Sequence, residues 1–257
     1  MVVLRGRFFE RRLDLKAKRI AVLGPNGGCG TAQRKWQESG LCDAQFNMLG
    51  GYANLGSPPP EVHTVQTALA RACAAPGGPS CVVDFARGAE IESNHAAPDL
   101  PEALELAASA SLVVMVLGDD LSSCAEDGDR DSLVLPGSQL SLLTSIVERL
   151  PADGVRLVVV LIGGRPVTFG HDPTLQEKLL SRIGALLVAG RPGEQGGVAI
   201  ADVILQRAKA RGRLAAPWLR GAGQAASGGA QFLQERNGKW IANAVSPPDF
   251  DGRVYHP

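Results

Sequence analysis

Nothing in this chain of 257 residues approaches the about 20 consecutive apolar residues that carry a helix across a bilayer. The longest apolar runs, Leu112 to Leu117 and Leu157 to Ile162, are strand-length pieces, so the chain reads as soluble. Its N-terminal residues scatter Arg and Glu among apolar ones, where a secretory signal needs an uninterrupted apolar segment. No export signal is visible, and localisation stays open. Net charge is absent too: 26 Lys and Arg stand against 26 Asp and Glu, with the basic residues dispersed. That balance lacks the electrostatic footprint that phosphate backbones or anionic lipids require, which excludes nucleic acid and membrane surface as expected partners. The five cysteines form no CxxC pair and have no His at ligand spacing, so no zinc or other metal site is expected. Their odd number leaves at least one thiol unpaired. Cys73 and Cys81 flank an Ala/Pro/Gly turn, a spacing that suits a bridge in an oxidising compartment and equally suits buried thiols. No repeat recurs at a fixed period, which sets solenoids and propellers aside. His63, His95, His171 and His256 have no Ser or Cys partner in a nucleophile motif, and read as surface or capping residues.

What the chain does have is an ordinary globular balance, 45% hydrophobic and 20% charged, enough to bury one sizeable core. Apolar runs at Arg19 to Leu23, Cys81 to Phe85, Leu112 to Leu117, Val155 to Ile162 and Ala185 to Val188 read as strands. Alternating with them, Thr64 to Cys73, Leu100 to Ser109, the segment capped by Ser138, Leu175 to Ile183 and Gly196 to Leu205 carry helical periodicity. Strands that alternate with helices and are apolar on both faces predict a layered α/β/α sandwich with a mainly parallel sheet. Ligands of such sheets bind beyond the carboxyl ends of the strands. Past Trp218 a Gly/Ala/Ser-rich stretch leads into a tail containing Pro247 and Pro248, which reads as linker and loosely held terminus.

Four segments follow strands and could carry chemistry. Gly24-Pro-Asn-Gly-Gly-Cys-Gly30 resembles a phosphate-cradling loop, but no Lys follows as a Walker A loop demands, and Gly28-Cys-Gly30 has no third Gly at dinucleotide spacing. No nucleotide or other cofactor is therefore expected. The loop from Gly118 to Arg130 places several carboxylates just beyond an apolar strand, the position from which a carboxyl group can do general acid/base work. A solvated acidic loop is the plainer reading of that segment. Its Asp spacing lacks the register and closing Glu of a calcium loop. Gly163-Gly-Arg-Pro-Val167 and Gly190-Arg-Pro-Gly-Glu-Gln-Gly-Gly197 are, taken alone, conformationally demanding turns.

Taken in order, these segments resemble the C-terminal domain of glycoside hydrolase family 3. Ile20-Ala-Val-Leu-Gly-Pro-Asn26 is similar to that family's I-A-V-I-G-P-N. Glu126-Asp-Gly-Asp-Arg-Asp-Ser-Leu-Val-Leu-Pro-Gly-Ser-Gln139 is similar to E-x-x-D-R-x-x-L-x-L-P-G-x-Q. Val160-Leu-Ile-Gly-Gly-Arg-Pro-Val167 and Pro192-Gly-Glu-Gln-Gly-Gly-Val-Ala-Ile-Ala-Asp-Val-Ile204 are similar to V-V-x-S-G-R-P-V and P-G-Q-x-G-G-x-A-I-A-D-V-L. Gly212-Arg-Leu-Ala-Ala-Pro-Trp218 is similar to the closing G-R-L-P-x-x-W/F. Met48-Leu-Gly-Gly-Tyr52 is similar to the M-x-G-N-Y of the β-xylosidase-like branch, with Gly51 in place of Asn.

The resemblance implies a division into residues 1–13 as an irregular extension, 14–220 as the family domain and 221–257 as linker and tail. It implies that Glu126 is the general acid/base of a retaining β-xylosidase- or β-glucosidase-type hydrolase acting on β-linked xylosides, glucosides or oligosaccharides. Asp120, Asp129 and Arg130 would bind substrate or shape the loop, the last two through an ion pair. In the family the nucleophile is an Asp on an N-terminal barrel. No S-D-W or K-H-F segment of that barrel is present in this sequence. The chain alone is therefore expected to be inactive, with a separate barrel or self-association covering an exposed apolar face. A non-catalytic carbohydrate-binding or interaction module is the alternative.

Overall fold

The computed structural model describes residues 1–5, 7–10, 14–16, 18–30, 40–51, 61–126, 130, 132–151, 156–214, 233–236 and 239–242. Its elements run β1 (Val2–Arg5), a 3-10 turn (Arg7–Glu10), β2 (Arg19–Leu23), α1 (Asp43–Leu49), α2 (Val65–Ala74), β3 (Val82–Ala86), α3 (Leu100–Ser109) and β4 (Leu112–Gly118). Then follow α4 (Gln139–Arg149), β5 (Leu157–Ile162), α5 (Pro173–Arg182), β6 (Ala185–Gly190), α6 (Gly196–Ile204), β7 (Leu233–Arg236) and β8 (Lys239–Ala242).

One sheet of order β1-β6-β5-β4-β2-β3 organises the domain. Strands β2 to β6 are mutually parallel. Every residue of β4 and β5 is buried, which is what continuous apolar runs require when helices cover both faces. Successive side chains alternate between those faces. Ile20, Val22, Val114, Val116, Val158 and Val160 join α2 and α6 in one core, whereas Leu23, Met115, Leu117, Val159 and Leu161 join α3 and α4 in the other. The layered α/β/α sandwich anticipated from the periodicity is the observed architecture.

From β2 the chain goes to β3 on one side and then to β4 on the other. The carboxyl ends of β2 and β4 therefore lie side by side at a topological switch point, the usual ligand crevice of a doubly wound sheet.

Several elements correct the sequence reading. The N-terminal segment taken as irregular contributes β1, which pairs antiparallel with β6, and its Phe8 is buried. Helix α1 was not anticipated; it sits next to segments 31–39 and 52–60, which lie outside the described residues, as does Tyr52. Ser138 stands at the N-terminus of α4 but does not cap it, because its hydroxyl accepts a hydrogen bond from Glu90 N at 2.9 Å. Within the tail read as loosely held, β7 and β8 pair antiparallel, while the Gly/Ala/Ser stretch lies outside the described residues. Two disulfides are present, Cys73–Cys81 and an unanticipated Cys29–Cys42, leaving Cys124 as the free thiol. Among the described residues the exposed large hydrophobic side chain is Val82, the first residue of edge strand β3.

Candidate functional site

The site is built outward from the end of β4. Gly118 has φ +137° and a Cβ there would collide with the Ile162 carbonyl of β5, so only glycine lets the two strands close up at this point. Its backbone is held by Gln139, the first residue of α4 and fully buried. Gly118 N donates to Gln139 Oε1 at 2.9 Å, and Gln139 Nε2 donates to Gly118 O and Pro136 O, both at 2.8 Å. The Pro-Gly-Ser-Gln segment thus ties α4 to the strand that launches the acidic loop.

The next residue, Asp119, is completely buried. Its carboxylate accepts from Gly164 N and from Arg191 Nη2, each at 3.1 Å. Burial pushes its pKa above the usual carboxylate value, against the pull of Arg191. Asn26 Nδ2 donates to Asp119 O at 3.3 Å, Asn47 Nδ2 donates to Asn26 Oδ1 at 2.8 Å, and Arg191 Nη1 donates to Asn47 O at 2.9 Å. These four residues come from the ends of β4, β2 and β6 and from α1, and their hydrogen bonds form a closed ring at the switch point.

Beyond Asp119 the loop is knitted by Asp120. Its Oδ1 accepts from Ser122 N at 3.0 Å, Ser123 N at 3.0 Å, Ser123 Oγ at 3.0 Å and Ser122 Oγ at 2.6 Å. Cys124 N donates to Asp120 O at 2.8 Å, completing a compact turn. Asp120 thus spends one carboxylate oxygen on folding its own loop. Glu126 follows, exposed to solvent. Arg130 Nη2 donates to Val134 O at 3.0 Å, and burial together with the nearby Arg165 charge makes its cation costlier than usual. Asp129 lies outside the described residues, and with it the Asp129–Arg130 pair. A small pocket between Gly118, Asp119, Gly163, Arg165 and Val167 has room for about one water molecule, far less than a sugar ring.

Sequence reasoning placed Glu126, Asp120 and Arg130 in this region but missed Asp119, Arg191, Asn26 and Asn47. A usable signal existed for three of them. Asn26 and Asp119 stand at the first polar position after the apolar runs that end β2 and β4, and Arg191 directly follows Gly190 of β6.

Comparison with known proteins decides what this geometry belongs to. The model of the glycosyl hydrolase family 3 C-terminal domain matches residues 13–250. The chain belongs to that family. A β-xylosidase of Formosa agariphila is 31% identical over 209 residues, covering 81% of this chain and 25% of that protein. A β-xylosidase/α-L-arabinofuranosidase of Medicago sativa subsp. varia is 33% identical over 221 residues, covering 85% of the chain and 24% of the relative. Among solved structures, a family 3 exo-β-xylosidase superposes with TM-score 0.59 at 26% identity, covering 80% of this chain and 22% of that one. A β-glucosidase from Erythrobacter marinus gives TM-score 0.65 at 25% identity, with 87% and 29% covered. This family 3 domain spans about a quarter of the length of the curated relatives it matches.

Proposed function

We propose that this family 3 domain supplies the general acid/base of a retaining β-glycosidase acting on β-linked xylosides or glucosides, with Glu126 as that group. The observation carrying the reading is placement. Glu126 is an exposed carboxyl group on a short, internally hydrogen-bonded loop that leaves β4 at the switch point, where such sheets hold ligands. The β-xylosidase and β-glucosidase names of its relatives and structural neighbours support the substrate class.

In the proposed first step, the Glu126 carboxylic acid gives its proton to the glycosidic oxygen as the C1–O bond breaks, and a carboxylate outside this domain forms a bond to C1. In the second, the Glu126 carboxylate takes a proton from water as that water displaces the enzyme carboxylate. The nucleophile must stand about 5 Å from Glu126 across the scissile bond, a separation that a second domain docked on the strand ends would set.

The test mixes this chain with a separately produced family 3 barrel and assays aryl β-xylosides and β-glucosides. Turnover that appears on mixing and collapses with Glu126→Gln is expected. No gain over the barrel alone, or a gain indifferent to Glu126→Gln, overturns the proposal.

A further inference from the structure

The ring at the switch point has no role in the chemistry assigned to Glu126, yet it is an expensive construction. Asn26, Asn47 and Asp119 are buried, and the Arg191 side chain is 18% exposed. A buried ion pair is weak support for stability, because its desolvation cost rivals its attraction and apolar side chains would fill the space at less cost. What the ring does supply is geometry. It fixes the points at which β2, β4 and β6 leave the sheet relative to α1, and Gly164 N adds the end of β5 through Asp119.

The same carboxylate touches the acidic loop twice. Asp119 is its first residue, and the Cys124 thiol returns to hydrogen-bond that carboxylate, two residues before Glu126. Gly164 leaves room for this return, since a Cβ there would stand 3.0 Å from Cys124 Sγ. Arg191 is thus fastened to the loop's root, and through Asp119 to Cys124, two residues before Glu126.

We infer that Arg191 and Asp119 are positioning residues for the acid loop, a ring-shaped clamp that sets where the Glu126 carboxyl group is presented. The inference rests on the reading of Glu126 as the acid, and the clamp itself has a readout independent of it. Displacing a catalytic group by about 1 Å costs on the order of 100-fold in rate. A misplaced acid penalises substrates with poor leaving groups, whereas a leaving group that departs as a stable anion needs little proton donation.

Arg191→Gln removes the charge and the two-armed reach to Asn47 and Asp119, and Asn47→Ala cuts one link of the ring with no change of charge. In the mixture with a barrel, Arg191→Gln is expected to lower kcat on phenyl β-xyloside by roughly 100-fold with KM little changed. On 2,4-dinitrophenyl β-xyloside, bond cleavage should fall by no more than about threefold. Asn47→Ala should move both in the same sense by less.

The independent readout is Cys124, the free thiol beside two disulfides, whose labelling by a chromogenic disulfide reagent reports release from Asp119. In the folded variants of the isolated chain, labelling should accelerate at least about tenfold. Equal losses on both xylosides, or labelling unchanged from wild type in a folded variant, overturn the clamp. If the wild-type mixture turns over neither xyloside, the acid reading fails, and the clamp as a loop-fixing device is judged by Cys124 labelling alone.

Discussion

Gln139 offers the most direct test of how the acidic loop is rooted. Its side chain is fully buried and makes three hydrogen bonds of 2.8 to 2.9 Å, two of them to the N–H and C=O of Gly118. Gln139→Ala strands both backbone groups of Gly118 in a buried site. An unpaired buried polar group costs about 1–3 kcal/mol, so two of them predict a loss of about 2–6 kcal/mol. The helix-favouring alanine offsets less than about 1 kcal/mol of this. For a domain of this size each kcal/mol lowers Tm by about 2–4 °C, so a loss near the middle of that range lowers it by about 8–16 °C. Urea unfolding followed by far-UV circular dichroism measures the change, and an unaltered m value shows that the two end states are the same. Gln139→Glu should be no milder, since it trades the amide donor for an acceptor facing Gly118 O in a buried site. A Gln139→Ala loss below about 1 kcal/mol would refute the reasoning, because Gly118 would then be satisfied without the amide.

Two further outcomes follow from the site. The Asp119 carboxyl is raised by burial, so the folded chain holds this proton more readily than the unfolded chain does. Its contribution is therefore fully present below about pH 3.9 and is lost as pH rises through the folded value, and the stability of wild type relative to Asp119→Asn should fall with rising pH. Urea midpoints of the pair across mildly acidic pH check the sign; a wild-type advantage that grows with pH contradicts it. The narrow pocket beside Asp119 predicts that calorimetry of the isolated chain with millimolar xylose, glucose or short oligosaccharides gives no heat. Saturable heat would favour the carbohydrate-binding reading instead.

The sheet was legible in the sequence because burial on both faces forces unbroken apolar runs. Leu112 to Leu117 needed no other information, and the structure adds only Gly118 to it; the run read as Val155 to Ile162 is β5 from Leu157, with Val155 outside the described residues. Strand β1 was not legible, since Val2–Arg5 is short, lies among charges, and becomes a strand through the edge of β6 that it pairs with. Helix α1 was hidden for a related reason: only seven residues long, its Cys42 end is tied by a disulfide to Cys29, a pairing that spacing alone does not reveal. At the site, the acidic loop stood out through its carboxylates. The ring did not, because Asn26, Asn47, Asp119 and Arg191 are distant in sequence and meet only once the parallel strands align their carboxyl ends. Asp120 drew attention over Asp119, yet it is Asp119 that the fold buries and pairs.

The central claim is that Glu126 is the acid/base of a two-carboxylate retaining reaction, and one product analysis tests it most directly. Glu126→Ala, mixed with a family 3 barrel and an activated aryl β-xyloside, should still form the glycosyl-enzyme but hydrolyse it slowly for want of a base. Added azide, which needs no base, should attack C1, displace the enzyme carboxylate and give β-xylosyl azide, with turnover restored by azide for the variant and not for wild type. Xylose as the sole product with no azide acceleration, or a Glu126→Ala mixture as fast as wild type, would contradict the account.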